Sequence, residues 1–150
     1  MDRVQKSELI GRPAGNFILK DIDGNTVTLA DFIGKVIILD FWATWCAPCV
    51  KQMPEYVTLQ KNYAARGATV IGISVDEKAE TVRKFAKKHK LNFPLLMADH
   101  SRVKREYGGI TAIPTTFVID KKGVIRYRYV GAPPDKLAFQ KHLEELLAEK

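Results

Sequence analysis

The stretch that most limits the fold is residues 36–54, where a pattern suited to a buried strand gives way to one suited to a helix. Val36, Ile37, Ile38, Leu39, Phe41 and Trp42 form a nearly continuous apolar, β-branched and aromatic run, interrupted by Asp40 alone. This is the pattern of a central strand covered on both faces inside an α/β sheet. After Trp45 the period changes, and Val50, Met53, Val57, Gln60, Tyr63 and Ala64 recur at the three- and four-residue steps of a helix. Both cysteines of the chain, Cys46 and Cys49, fall at this junction.

That placement has chemical consequences. Unpaired backbone N–H groups and the positive end of the helix dipole favour an anion, and lower a thiol pKa from its free value of about 8.5. Cys46 is therefore expected to be the nucleophile. Cys49, one turn further in, can close a small disulfide ring with it and is expected to be the less exposed, resolving thiol. Two other readings compete. A Cys-x-x-Cys pair can be half of a zinc site, but His89, His100 and His142 show no paired ligand spacing, so no metal is expected. Two inert, buried structural cysteines are the other reading; the helix-start position and Pro48 between them argue against it.

At these residues the resemblance to a known family becomes plain. The segment from Asp40 through Trp42, Ala43, Thr44, Trp45, Cys46, Ala47, Pro48 and Cys49 resembles the active-site segment of the thioredoxin superfamily. Pro54 falls where that family has its helix-kinking proline. Ile113, Pro114 and Thr115 resemble its cis-proline loop, and Val130, Gly131 and Ala132 its final strand turn. The spacing of Gly11, Ala14, Phe17, Leu19, Asp21 and Gly24, followed by Leu29, Asp31, Phe32, Gly34 and Lys35, is similar to the N-terminal hairpin shared by peroxiredoxins and the TlpA/ResA/DsbE-like branch. Gly15 stands where that branch usually has proline. The resemblance implies a thioredoxin-like α/β/α sandwich with an N-terminal β-hairpin extension and a central helix-containing insertion, in a single domain over residues 1–150 whose first ten residues are a flexible segment.

The rest of the chain is consistent with that architecture. Short strands are expected over 17–20 and 26–29 around an aspartate-, glycine- and asparagine-rich turn. The helix after Cys49 should stop near Gly67, and a buried strand should follow over 68–75. An amphipathic helix is expected over 79–88, with Val82, Phe85 and Ala86 on its inner face, and a short helix over 101–107. Strands over 115–119 and 124–130 should pair around the 120–123 turn, with Asp135 capping a closing helix.

Composition narrows the function. The 150 residues are 46% hydrophobic and 27% charged, which excludes disordered and coiled-coil classes. A net charge of +7 raises the question of nucleic acid. The densest cluster, Arg83, Lys84, Lys87, Lys88 and Lys90, reads instead as the solvated face of the 79–88 helix, so no nucleic-acid partner is expected. The first residues carry no signal-peptide core, and no apolar run is long enough to span a membrane. The chain is expected to be a soluble monomer, extracytoplasmic with its signal or anchor removed, or else cytoplasmic.

Several further residues take roles from the resemblance. Asp40, a carboxylate inside an apolar strand, matches the buried aspartate of thioredoxins and is the expected proton acceptor for Cys49. Gly72 stands where many thioredoxins have a lysine paired with that aspartate. Glu77 matches an acidic position of ResA-like proteins and is a second candidate acceptor. Trp45, Ala47, Pro48, Ile113 and Pro114 are expected to bind substrate, with the Ile113 backbone pairing strand-like with an extended peptide. The activity implied is thiol–disulfide exchange with a protein disulfide or dithiol, supplied by an upstream thiol electron donor and needing no cofactor beyond the redox-active disulfide. The Ala47-Pro48 spacer and Ile113 resemble reducing members, and the branch implies cytochrome c maturation, although the spacer lacks the glutamate of ResA. The alternatives are a peroxiredoxin-like peroxidase, whose usual proline, threonine and cysteine pattern is missing here, and a non-catalytic peptide- or metal-binding module.

Overall fold

The computed structural model describes residues 8–98, 102–133, 135 and 137–150. Most of the expected flexible segment (residues 1–7), the candidate ligand His100 and the expected helix start at Ser101 lie outside them. Leu9 and Ile10 pack against the core.

The sheet is organised around β3 (Val36–Trp42), in which every one of seven residues is buried. Its neighbour β4 (Ala68–Ser74) runs parallel to it, and β5 (Leu95–Met97) runs parallel to β4. On the other side β6 (Thr115–Ile119) is antiparallel to β3 and β7 (Ile125–Val130) antiparallel to β6, giving the order β5-β4-β3-β6-β7. A separate hairpin pairs β1 (Ile18–Lys20) with β2 (Thr26–Thr28), and Leu29 then opens a 3-10 turn rather than extending the strand. Thr28 and Asp31 form a reciprocal capping box there, which ends the hairpin one residue early.

The period of two along β3 sorts the layers. Val36, Ile38 and Trp42 face a core built with Met53, Tyr56 and Leu59 of α1 (Ala47–Tyr63), Val82 and Ala86 of α2 (Ala79–His89), and Phe139, Leu143 and Leu146 of α4 (Ala138–Leu147). Ile37, Leu39 and Phe41 face the other core, with Leu19 and Leu29 of the hairpin region and Val103 of the one-turn α3 (Val103–Glu106). The expected α/β/α sandwich, hairpin and insertion are all present. Gly67, at φ 96°, ends a 3-10 turn after α1, where a side chain would be strained. Asp135 accepts the Leu137 N–H at 2.9 Å, so it caps the turn that leads into α4.

Gly72 explains why no lysine sits opposite Asp40. The two residues are paired across β4 and β3, and a Cβ on Gly72 would lie 2.8 Å from Trp42 Nε1 and 3.1 Å from Leu95 Cδ2. Trp42, fully buried and tilted against Phe85 at 5.3 Å, occupies that space. Gly72→Ala should therefore cost about 1–3 kcal/mol through overpacking, read as a lower urea midpoint at unchanged slope.

Candidate active site

The strand and the helix on either side of residues 43–46 are each fixed independently, so the loop between them has little freedom. Asp76, just past β4, holds it: its carboxylate accepts the Thr44 N–H at 3.0 Å, the Thr44 hydroxyl at 2.7 Å and the Ser74 hydroxyl at 2.7 Å. The Val75 N–H adds a bond to the Trp42 carbonyl at 2.9 Å. Cys46 is consequently held as the N-cap of α1, and its Sγ accepts the Cys49 N–H at 3.3 Å. A sulfur therefore takes the position that Ser, Thr or Asp holds at most helix starts.

Cys46 and Cys49 are joined as a disulfide with Cα atoms 5.3 Å apart. Cys46 is 7% exposed and Cys49 is 0% exposed, so Cys46 is the more accessible of the two. Across from them the Ile113–Pro114 peptide bond is cis, and Cys46 Sγ lies 3.8 Å from the Ile113 carbonyl oxygen. Gly131 N–H bonds to the Pro114 carbonyl at 2.7 Å, and Thr115 pairs with Val130, which brings the end of β7 beside that loop. Trp45 and Val130 are exposed large apolar side chains, at 70% and 44%. Together with half-buried Ile113 they leave an apolar rim on the disulfide face.

Asp40 is 1% exposed and lies on the same face of β3 as Trp42. Thr116, its partner across β6, donates its hydroxyl to Asp40 Oδ1 at 3.1 Å. The Tyr56 hydroxyl lies 3.2 Å from Thr116 Oγ1, and either hydroxyl can be the donor. Tyr56 and Cys49 sit seven residues apart on the buried face of α1. Asp40 Oδ2 has no partner among the described residues. Burial outweighs the opposing effect of the Thr116 hydrogen bond and the nearby Tyr56 hydroxyl, and pushes the Asp40 carboxyl up to about 8.

Glu77 is placed differently from the other candidates. Its side chain is exposed beyond β4, and the buried acidic residue of that pair is Asp76, which clamps the loop. Sequence reasoning also did not single out Thr116, Tyr56 or Gln52, the last a buried polar residue of α1 that donates to Glu55 at 3.3 Å. For metal, no cluster of three or more His, Cys, Asp or Glu side chains converges among the described residues. His89 stacks on Phe85, and His142 bonds the Tyr129 hydroxyl at 2.7 Å.

Residues 10–128 match the AhpC/TSA family. The chain belongs to that family. It is 38% identical over 116 residues to the thiol-disulfide oxidoreductase ResA of Bacillus thuringiensis, an alignment covering 77% of this chain and 66% of that protein. It is 41% identical over 133 residues to the thioredoxin-like protein YneN of Bacillus subtilis, covering 87% of this chain and 77% of the relative. A solved thiol:disulfide interchange protein of the thioredoxin family from Chlorobium tepidum superposes with a TM-score of 0.83 at 35% identity, over 95% of this chain and 100% of that one. The chain is thus a thioredoxin-like thiol-disulfide oxidoreductase of the ResA/DsbE-like group, with protein thiols as its substrate class and the cysteine pair as its redox centre.

Asp40 also links the site to stability. Its folded pKa lies above the ordinary carboxylate range, so its neutral form favours the fold. That contribution is complete below about pH 4 and is lost as pH rises through 8. Asp40→Asn should raise the melting temperature at pH 8, by on the order of 3 kcal/mol in stability, and leave little difference near pH 4. Thermal unfolding at both pH values checks this.

Proposed function

We propose that this single-domain, monomeric protein reduces disulfides in protein clients, with Cys46 as nucleophile, Cys49 as resolving thiol and Asp40 as the acceptor of the Cys49 proton. The observation that carries the reading is the asymmetry of the pair: Cys46 caps α1 and lies against the Ile113 carbonyl, while Cys49 is fully buried on the face of α1 that also carries Tyr56, whose hydroxyl meets the Thr116 bonded to Asp40.

In the reduced protein the N–H groups at the start of α1, with that of Cys49 aimed at Sγ, stabilise a Cys46 thiolate. The thiolate attacks one sulfur of a client disulfide. A bond forms between Cys46 and that sulfur, the client disulfide breaks, and the second client sulfur leaves as a thiolate. Cys49 then passes its proton to the ionised Asp40 and attacks Cys46 Sγ. This releases the first client sulfur and leaves the Cys46–Cys49 disulfide present here. An upstream thiol donor restores the dithiol by the reverse exchange.

The contacts assigned to Trp45, Ala47, Pro48, Ile113 and Pro114 fit a client strand laid along the Ile113 backbone. The ResA/DsbE-like kinship supports an extracytoplasmic setting and a part in cytochrome c maturation. Among the described residues no helix is long and apolar enough to cross a membrane.

Cys46→Ser should abolish reduction of a client disulfide, while Cys49→Ser should accumulate a mixed disulfide visible on non-reducing gels. Equilibration of the wild-type pair against glutathione should give a reducing potential, toward the thioredoxin end of the scale. An oxidising potential near the DsbA end would reverse the direction. Peroxide consumption without a client would favour the peroxidase instead.

The release step should accelerate as pH rises through 8, because Asp40 accepts a proton only when ionised. In Asp40→Asn that step should slow by about a hundredfold and lose this pH dependence, whereas Glu77→Gln should behave as wild type. Rapid-quench measurement of mixed-disulfide decay between pH 6 and 9 distinguishes the two acids.

A further inference from the structure

The disulfide face does not end at the apolar rim. Beside Cys46, Ala47 and Pro48 at the start of α1 face Ala132 and Pro133 across a pocket of about 540 Å³. Glu55 lines both this pocket and a second one of about 450 Å³, which continues along α1 past Thr58 to Tyr63, with Leu137 lining it ahead of α4. The two are neighbours along one helix, and the first touches the residues next to the reacting sulfur. Pro48 and Tyr63 are fifteen helical steps apart, about 22 Å. An extended chain of about seven residues spans that length. At the far end Leu137 is 54% exposed, a large apolar side chain left uncovered beside the hollow. Arg66, which also lines the second hollow, is already paired with Glu144 at 2.8 Å, so it adds little net attraction for an acidic ligand.

We propose that these two hollows form one docking groove for an extended, unfolded segment of the client polypeptide that flanks its reacting cysteine. This rests on the reading that a client disulfide meets Cys46. A small disulfide would reach only the first hollow. A folded surface would not follow a trough of this length, whereas a single extended strand does so while its cysteine stays at the apolar rim. The pocket beside Pro48 takes an apolar side chain near the client cysteine, and Leu137 covers a second one several residues away. The clients selected are therefore chains that have not yet folded around their disulfide.

The test uses the pre-reduced protein in single-turnover stopped flow, with synthetic peptides that carry one cysteine as a mixed disulfide with 2-nitro-5-thiobenzoate. Each peptide has either two or eight residues, including leucines, on one side of the cysteine or the other. Lengthening on one side should lower the half-saturating concentration by roughly tenfold. Leu137→Asp, and Thr58→Arg from the facing wall, should each return the long peptide to the value of the short one without lowering the maximal rate. Equal half-saturation for long and short peptides on both sides would overturn the groove, as would variants that weaken both lengths alike. If the protein attacks neither peptide, the reading of Cys46 fails and the groove falls with it.

Discussion

Burial of β3 is the constraint on which the rest of the structure depends. All seven of its residues are shielded from water, and a strand in that position must be paired on both sides and covered on both faces. β4 and β6 supply the pairing, and α1, α2 and α4 on one face and the hairpin and α3 on the other supply the cover. Burying one Val, Leu or Phe side chain is worth about 1.5–3 kcal/mol, so a run of six such residues makes this strand costly to disturb. The reactive pair is attached directly to its C-terminal end. Its geometry is therefore set by a fully buried strand, with the Asp76 clamp holding the loop that follows.

The same burial creates the electrostatic problem that the site exploits. A carboxyl group in the middle of this strand loses its hydration, and the hydroxyls of Thr116 and Tyr56 offset only part of that loss. In a thioredoxin-like frame the usual remedy is a lysine across the sheet. Here Trp42 and Leu95 fill the space above Gly72, so Asp40 stays without a cationic neighbour at that position. Packing in the core and proton affinity at the site are thus two effects of one indole ring.

Much of this was legible in the residues. The uniform apolarity of 36–42 announced a central strand, and the change to helical spacing placed Cys46 at a helix start. Resemblance identified the cis-Pro114 loop, which proportions and periodicity alone do not suggest. What the sequence concealed were contacts between distant positions. Thr44 and Asp76 are 32 residues apart and Asp40 and Thr116 are 76 apart. No local pattern marks such pairs, because any surface aspartate or threonine looks the same until the sheet register brings them opposite. Glu77 attracted attention through its match to an acidic position of ResA-like proteins and Asp76 did not, yet of the two it is Asp76, next to the buried end of β4, that is buried. The groove along α1 was hidden for a related reason, since one wall comes from α1 and Arg66 and the other from Ala132, Pro133, Leu137 and Gln140.

One detail of the helix start has a thermodynamic consequence. The atom that caps α1 is the atom that reacts, so the strength of the cap changes with every turnover: a disulfide sulfur is a poor acceptor for the Cys49 N–H, and a thiolate is a strong one. Oxidation and unfolding are then joined in a closed cycle. Each increment by which the thiolate form of the helix is steadier than the disulfide form must reappear as an equal pull on electrons. The firmer the first helical turn becomes on reduction, the more weakly this protein gives up its reducing equivalents, by the same free energy.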